Sequence, residues 1–134
     1  IARKNIVRHG LAERIDLVCA DLLTSFRPAV FFDLIVTNPP YVLSDDLPGL
    51  EPEVRDWEPV LALSGGKTGL DSIDRICRDA ALHLQPGGWL FMEIGADIGE
   101  PVARVFTASG RYDQVRIIRD WAGRPRVLQA ECKG

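Results

Sequence analysis

Cysteine pairs at metal-binding spacing are missing from this sequence. Cys19, Cys77 and Cys132 are scattered and odd in number, and no C-x-x-C occurs. That excludes a zinc ribbon or a disulfide frame and fits reduced thiols in a cytoplasmic protein. Histidine is scarcer still. His9 and His83 stand apart from each other and from every cysteine, so no metal site is expected and both are read as solvated helix positions. No apolar run is long enough to cross a bilayer, and the first residues lack a basic-then-apolar leader pattern. An excess of positive charge is also lacking. The formal net charge of -3 gives no global pull toward nucleic acid, although a local basic patch stays open. Internal repeats, low-complexity tracts and linkers are absent. What remains is one domain of 134 residues, with 46% hydrophobic and 26% charged residues, enough to bury a core.

The apolar pattern predicts alternating helices and strands. "IARKNIVRHG" reads as the end of a helix, with Gly10 as a left-handed cap. A short strand is predicted over Ile15 to Cys19, closing at Asp21. "FFDLIVT" is nearly continuous in apolar residues, as expected of a strand buried on both faces of a parallel sheet. Residues 43–59, rich in Pro, Asp and Glu, have no period and read as a long loop of functional kind. "TGLDSIDRICRDAALHL" predicts a helix, with Thr68 and Asp71 at capping-box spacing and "QPGG" as its stop. "WLFMEIG" is a further buried strand. "IGEPVARVFTASG" is a helix with Pro101 in its first turn and Gly110 past its end. "YDQVRII" and "PRVLQAEC" complete the set as strands. This alternation predicts an open α/β sheet.

Where the strand "FDLIV" ends, the chain reads Asn38-Pro39-Pro40-Tyr41. Asn-Pro-Pro alone is best read as a strand-ending turn. Its position changes that reading, because ligands of open α/β sheets bind beyond the carboxyl ends of the strands. An amino group conjugated to a carbonyl or a ring is a poor nucleophile, since its lone pair is delocalised. Two acceptors that hold its N–H bonds would leave that lone pair facing an electrophile. The Asn38 side-chain oxygen and the Pro39 backbone carbonyl are two such acceptors. The prolines stiffen the loop in extended conformations, and the Tyr41 ring can cover a planar group. Such a site works by orientation and electrostatics, without a covalent intermediate.

"FDLIVTNPPYV" resembles motif IV of the amino-group methyltransferases that use S-adenosylmethionine (SAM) on the class I Rossmann-like fold. "ARKNIVRHGLAERIDLVCADLL", "EVRDWEPVLALSGGKTGLDSIDRI", "LQPGGWLFMEIG" and "DWAGRPRVLQAE" resemble one branch, the release-factor glutamine methyltransferases, in collinear order over nearly the whole chain. The resemblance implies SAM as cofactor, with Asp21 accepting from its adenine amine and Leu22 lining the adenine pocket. It implies Asn38 and Pro39 as holders of the glutamine amide nitrogen, Pro40 as shaper of the loop and Tyr41 as its cover. Glu58, in the Glu58-Pro59 pair, would belong to the substrate loop; loop structure alone explains it equally well. Asp21 reads equally as a helix N-cap and Leu22 as core. Glu93 reads as a holder of loop backbone, Asp71 as a cap, and Arg111, Arg116, Arg119, Arg124 and Arg126 as a solvated face in preference to a partner-binding one.

The family pattern also has a glycine-rich turn after its first strand and an acidic ribose grip, and neither occurs here. "SGGKTG" at 64–69 lacks the strand–turn–helix setting. The chain therefore resembles the C-terminal part of such an enzyme, expected to be inactive alone. The missing strands would leave open edges, predicting that "IDLVC" pairs with "FDLIV", that the chain self-associates, or that its start is disordered. The implied partner is a peptide-chain release factor, with no membrane. Two rivals stay open: an amino methyltransferase of DNA or RNA, disfavoured by the acidic 45–58 stretch, and a non-catalytic protein-binding fragment.

Overall fold

The computed structural model describes residues 1–27 and 32–134. Four segments with strand-type patterns pair into one sheet. β1 (Phe32–Thr37) runs parallel to β2 (Leu84–Glu93). β3 (Tyr112–Arg119) and β4 (Pro125–Cys132) form an antiparallel hairpin, and β4 also pairs antiparallel with β2. The spatial order is β1-β2-β4-β3. Phe31, the expected first residue of the β1 strand, lies outside the described residues.

Two amphipathic helices cover one face of this sheet. α4 (Asp71–Ala80) buries Ile73, Ile76, Cys77 and Ala80, which recur at helical spacing. α5 (Gly99–Ala108) buries Val102 and Phe106. They meet Leu90, Met92, Leu128 and Ala130, alternate residues of β2 and β4, in one cluster. Each such aliphatic or aromatic side chain contributes about 1.5–3 kcal/mol on burial. The Tyr112 hydroxyl donates to the backbone oxygen of Cys77 at 2.9 Å and ties β3 to α4.

The other face is open among the described residues. Leu34 is 50% and Val36 71% exposed. They lie beside Trp89 and Phe91 of β2 in register. The expectation of a strand buried on both faces is thus corrected: β1 is an edge strand with one covered face. Its near-continuous apolar run does not distinguish the two cases.

Several local expectations change too. Ile15 to Cys19 forms no strand. Ile15 and Leu17 fold back beside Ile6 and Val7 of α1 (Ala2–Arg8), and the segment does not pair with β1. α1 ends as read, with Gly10 at φ +66°. Thr68 and Asp71 make no capping box: the helix N-cap is Leu70, with no side-chain cap bond. α4 stops at Ala80, ahead of "QPGG", which instead forms a bulge inside β2; Phe32 pairs with Leu84 but Leu34 with Trp89. His83 is buried rather than solvated, with its ring against Phe26. The 43–59 stretch is not structureless: it holds a 3-10 turn, Leu47–Gly49, and α2 (Pro52–Arg55), with α3 (Val60–Leu63) following.

Candidate active site

Asn38 follows directly on the carboxyl end of β1, and its side chain is exposed. Pro39 behind it is buried, so the turn is anchored by a ring with no donor to satisfy. Asn38 stands between two depressions. One, of about 250 Å³, has the Asn38–Val42 turn on one side and Leu50, Val54 and Leu63 on the other. The second is a trough of about 470 Å³ on the open sheet face, lined by Val36, Thr37, Asn38, Phe91, Glu93 and Val127. α2 and α3 thus explain the long loop: they bring apolar walls to the turn.

Tyr41 is held from three directions. Its backbone continues into a parallel bridge between Val42 and Ser64, with Val42 N–H donating to Leu63 O at 3.0 Å and Gly65 N–H to Val42 O at 2.8 Å. A Cβ on Gly69 would lie 2.7 Å from the Tyr41 carbonyl oxygen, and Gly69 has φ +73°. The "SGGKTG" segment is therefore a strap across the turn, which its glycines permit. The Tyr41 ring packs on Gly95, where a Cβ would come within 3.1 Å of Cδ2. Its hydroxyl lies 3.5 Å from Glu93 Oε1, to which it donates.

Glu93 faces Arg126 Nη1 at 3.7 Å, and Arg126 Nη2 faces Asp120 at 3.9 Å. Asp120 builds the β3–β4 turn: its Oδ1 accepts from the backbone N–H of Ala122 and of Arg124, both at 2.9 Å. Those bonds, Arg124's first, hold the Asp120 carboxyl below the usual carboxylate range. Two readings are corrected here. Glu93 takes a tyrosine hydroxyl and a guanidinium rather than loop backbone, and Arg126 is half-buried in ion pairs rather than solvated. The missed signal was parity. Glu93 ends β2 on the same face as Asn38, one strand away.

Asp21 and Leu22 lie in a turn, with Thr24 N–H donating to Asp21 O at 3.2 Å. The Asp21 carboxylate accepts from Arg75 Nη2 at 2.7 Å. Leu22 has φ +52°, a conformation that leucine rarely adopts. It lines a slot of about 190 Å³ with Leu23, Ile35, Thr37 and Ile76. Thr37 joins this slot to Asn38. Glu58 is exposed and lines neither depression beside Asn38. The structure thus brings together Asn38, Pro39, Pro40 and Tyr41, puts Leu22 in a separate slot, and leaves Glu58 on the surface. Among the described residues, no group of three or more His, Cys, Asp or Glu is placed to hold a metal ion, and no helix is long and apolar enough to cross a membrane.

No model of a known protein family matches the chain. A methyltransferase from Pyrococcus furiosus superposes on 99% of this chain and 56% of its own, with a TM-score of 0.69 and 20% identity. A release factor glutamine methyltransferase of Gloeobacter violaceus is 41% identical over 128 residues, 96% of this chain and 44% of that protein. The enzyme of the same name from Cereibacter sphaeroides is 43% identical over 130 residues, 97% of this chain and 46% of its own. The fold is the Rossmann-like one of the class I methyltransferases. Over nearly its whole length the chain is similar to release factor glutamine methyltransferases. It spans less than half the length of the relatives it matches.

Proposed function

We propose that this protein transfers the methyl group of SAM to the side-chain amide nitrogen of a glutamine in a peptide-chain release factor. One observation carries the reading: Asn38 stands on the divide between an apolar-walled slot and the sheet-face trough. The slot suits the stem and flat amide of a glutamine side chain, and the trough leads to the cofactor side.

The residues present fit the adenine end of SAM. The slot beside Leu22 is lined by aliphatic side chains and Thr37, and Asp21 precedes Leu22 in the same turn with its carboxylate on Arg75. Asp21 and Leu22 would hold the base, and Thr37 would separate it from Asn38. When bound, SAM supplies an electrophilic methyl on a sulfonium. Asn38 Oδ1 and the Pro39 carbonyl accept the two amide N–H bonds and turn the nitrogen lone pair toward the trough. Tyr41 covers the amide plane. The buried Pro39 fixes these acceptors before the substrate arrives, so little ordering remains for the reaction step. The nitrogen gains a carbon and gives up one proton to an acceptor at the turn or to water. Glu58, exposed on the substrate loop, would meet the release factor at its rim.

The acidic side chains of that loop, Asp45, Asp46, Glu51, Glu53, Asp56 and Glu58, are exposed. They would repel a phosphate backbone, which supports a protein substrate over DNA or RNA. The proposed place of action is the cytoplasm, where release factors work. Radiolabelled SAM tests the reading with release factor, duplex DNA and RNA as acceptors. Label on a release-factor glutamine, located by mass spectrometry, is expected. Label on nucleic acid alone would replace glutamine with a base as the substrate.

A further inference from the structure

The "DWAGR" turn and Arg126 stand well outside the Asn-Pro-Pro-Tyr turn in sequence, and the proposed methyl transfer gives them no task. Their geometry leads to the site. Asp120, fixed by two backbone N–H groups, faces Arg126. Arg126, on β4, faces Glu93 at the end of β2. Glu93 accepts the Tyr41 hydroxyl. The series crosses three neighbouring elements and ends on the residue that closes the turn holding Asn38.

We propose that Glu93 is a positioning residue for the Asn-Pro-Pro-Tyr turn, fixing the Tyr41 ring through its hydroxyl while Arg126 holds the Glu93 carboxylate. The inference rests on the methyl-transfer reading for its effect on rate, but not for the coupling itself. The physical need is clear. Gly95 leaves the Tyr41 ring a flat seat without a side wall, because a Cβ there would already touch the ring. A ring on a glycine can slide. A hydroxyl directed at a carboxylate on a rigid strand, 3.5 Å away, limits that movement. Arg126, 3.7 Å away, keeps the carboxylate aimed at the ring. Without it, Glu93 is free to turn into the trough that it also lines. Tyr41 therefore contributes twice, by its ring face to the amide and by its hydroxyl to its own placement.

The test uses the full-length protein with Tyr41→Phe, Glu93→Ala, Glu93→Gln, Arg126→Met and the double variant Tyr41→Phe/Glu93→Ala. Tyr41→Phe, Glu93→Ala and Arg126→Met should each lower kcat about tenfold, roughly 1.4 kcal/mol of barrier, with SAM affinity unchanged within about twofold. The double variant should be no slower than the slower single one, as for two groups that act as a unit. Glu93→Gln keeps an acceptor for the hydroxyl and should recover part of the loss. A second readout needs no substrate: in protein labelled with 3-fluorotyrosine, the Tyr41 fluorine resonance, identified by its loss in Tyr41→Phe, should shift in Glu93→Ala and in Arg126→Met. Multiplying losses in the double variant, or an unmoved fluorine resonance in Glu93→Ala, would overturn the proposal. So would a SAM affinity weakened more than tenfold by Glu93→Ala but not by Tyr41→Phe, since Glu93 would then touch the cofactor. If the unaltered protein methylates no glutamine, the function proposed above fails, and the fluorine resonance alone decides the coupling.

Discussion

Asn38 is exposed at a strand end, so its side chain adds little to packing. Asn38→Ala in the full-length protein is therefore expected to lower kcat by more than about a hundredfold, on the order of 2.7 kcal/mol, while Tm barely moves. A loss of tenfold or less, or a large fall in Tm, would mark Asn38 as structural. Tyr112 gives the opposite kind of residue. Its phenol is buried, and burial, followed by the nearby Cys77 and Cys132 thiols, pushes its ionisation far above the ordinary tyrosine value of about 10. Burial also raises the Cys77 thiol. A raised value in the folded state means that the unfolded chain ionises first. The stability from both groups is then fully present below their ordinary values and is lost as pH rises past them. Unfolding in urea should show stability level up to about pH 8.5 and falling beyond it, more steeply above about pH 10. Tyr112→Phe leaves the Cys77 carbonyl without its donor, at a cost of about 1–2 kcal/mol near neutral pH, and should flatten the slope above pH 10.

At the scale of elements, the 64–69 strap sets the height of the active turn. Gly69→Ala places a Cβ against the Tyr41 carbonyl at a backbone angle that alanine rarely adopts. A stability loss of about 1–3 kcal/mol is expected, with a kcat loss larger than that destabilisation explains; stopped methyl-transfer assays on folded protein check it. An unchanged kcat would mean that the strap and turn are independent. These elements also show what a sequence can and cannot disclose. α4, α5 and the β3–β4 hairpin were legible because their periods are local: Ile73, Ile76 and Ala80 mark a helix face wherever they stand. The Asn38–Tyr41 turn was legible because a proline pair beside an apolar strand leaves few conformations. Ile15 to Cys19 was misread because β-type residues form a strand only when they pair, and these pair with none of the described strands. His83 was misread because its setting depends on Phe26, far along the chain. Glu93 and Arg126 were misassigned for the same reason: their partners are set by strand register, which composition does not encode. Thr68 and Asp71 had the spacing of a cap, but the helix starts at Asp71 itself, with Leu70 as its N-cap.

On the scale of the whole molecule, the sheet has one dressed face and one bare one. Leu34 and Val36 stand on the bare face of an edge strand, where another chain can pair or stack. The chain of 134 residues is expected to associate with itself as its concentration rises. Leu34→Lys with Val36→Lys should suppress that association in sedimentation velocity at little cost in stability, because neither side chain is buried. Association unaffected by the pair would place the contact elsewhere. The strand order carries a different consequence. β4 is synthesised after β3, yet it sits between β3 and β2. While the chain is being made, β2 and β3 both wait with a bare edge, and neither can close on the other. The helices α4 and α5 can coil early and β1 can pair with β2, but β3 joins the sheet only through β4. A chain cut short before Pro125 would therefore hold β1 paired with β2 and leave β3 with no strand to join.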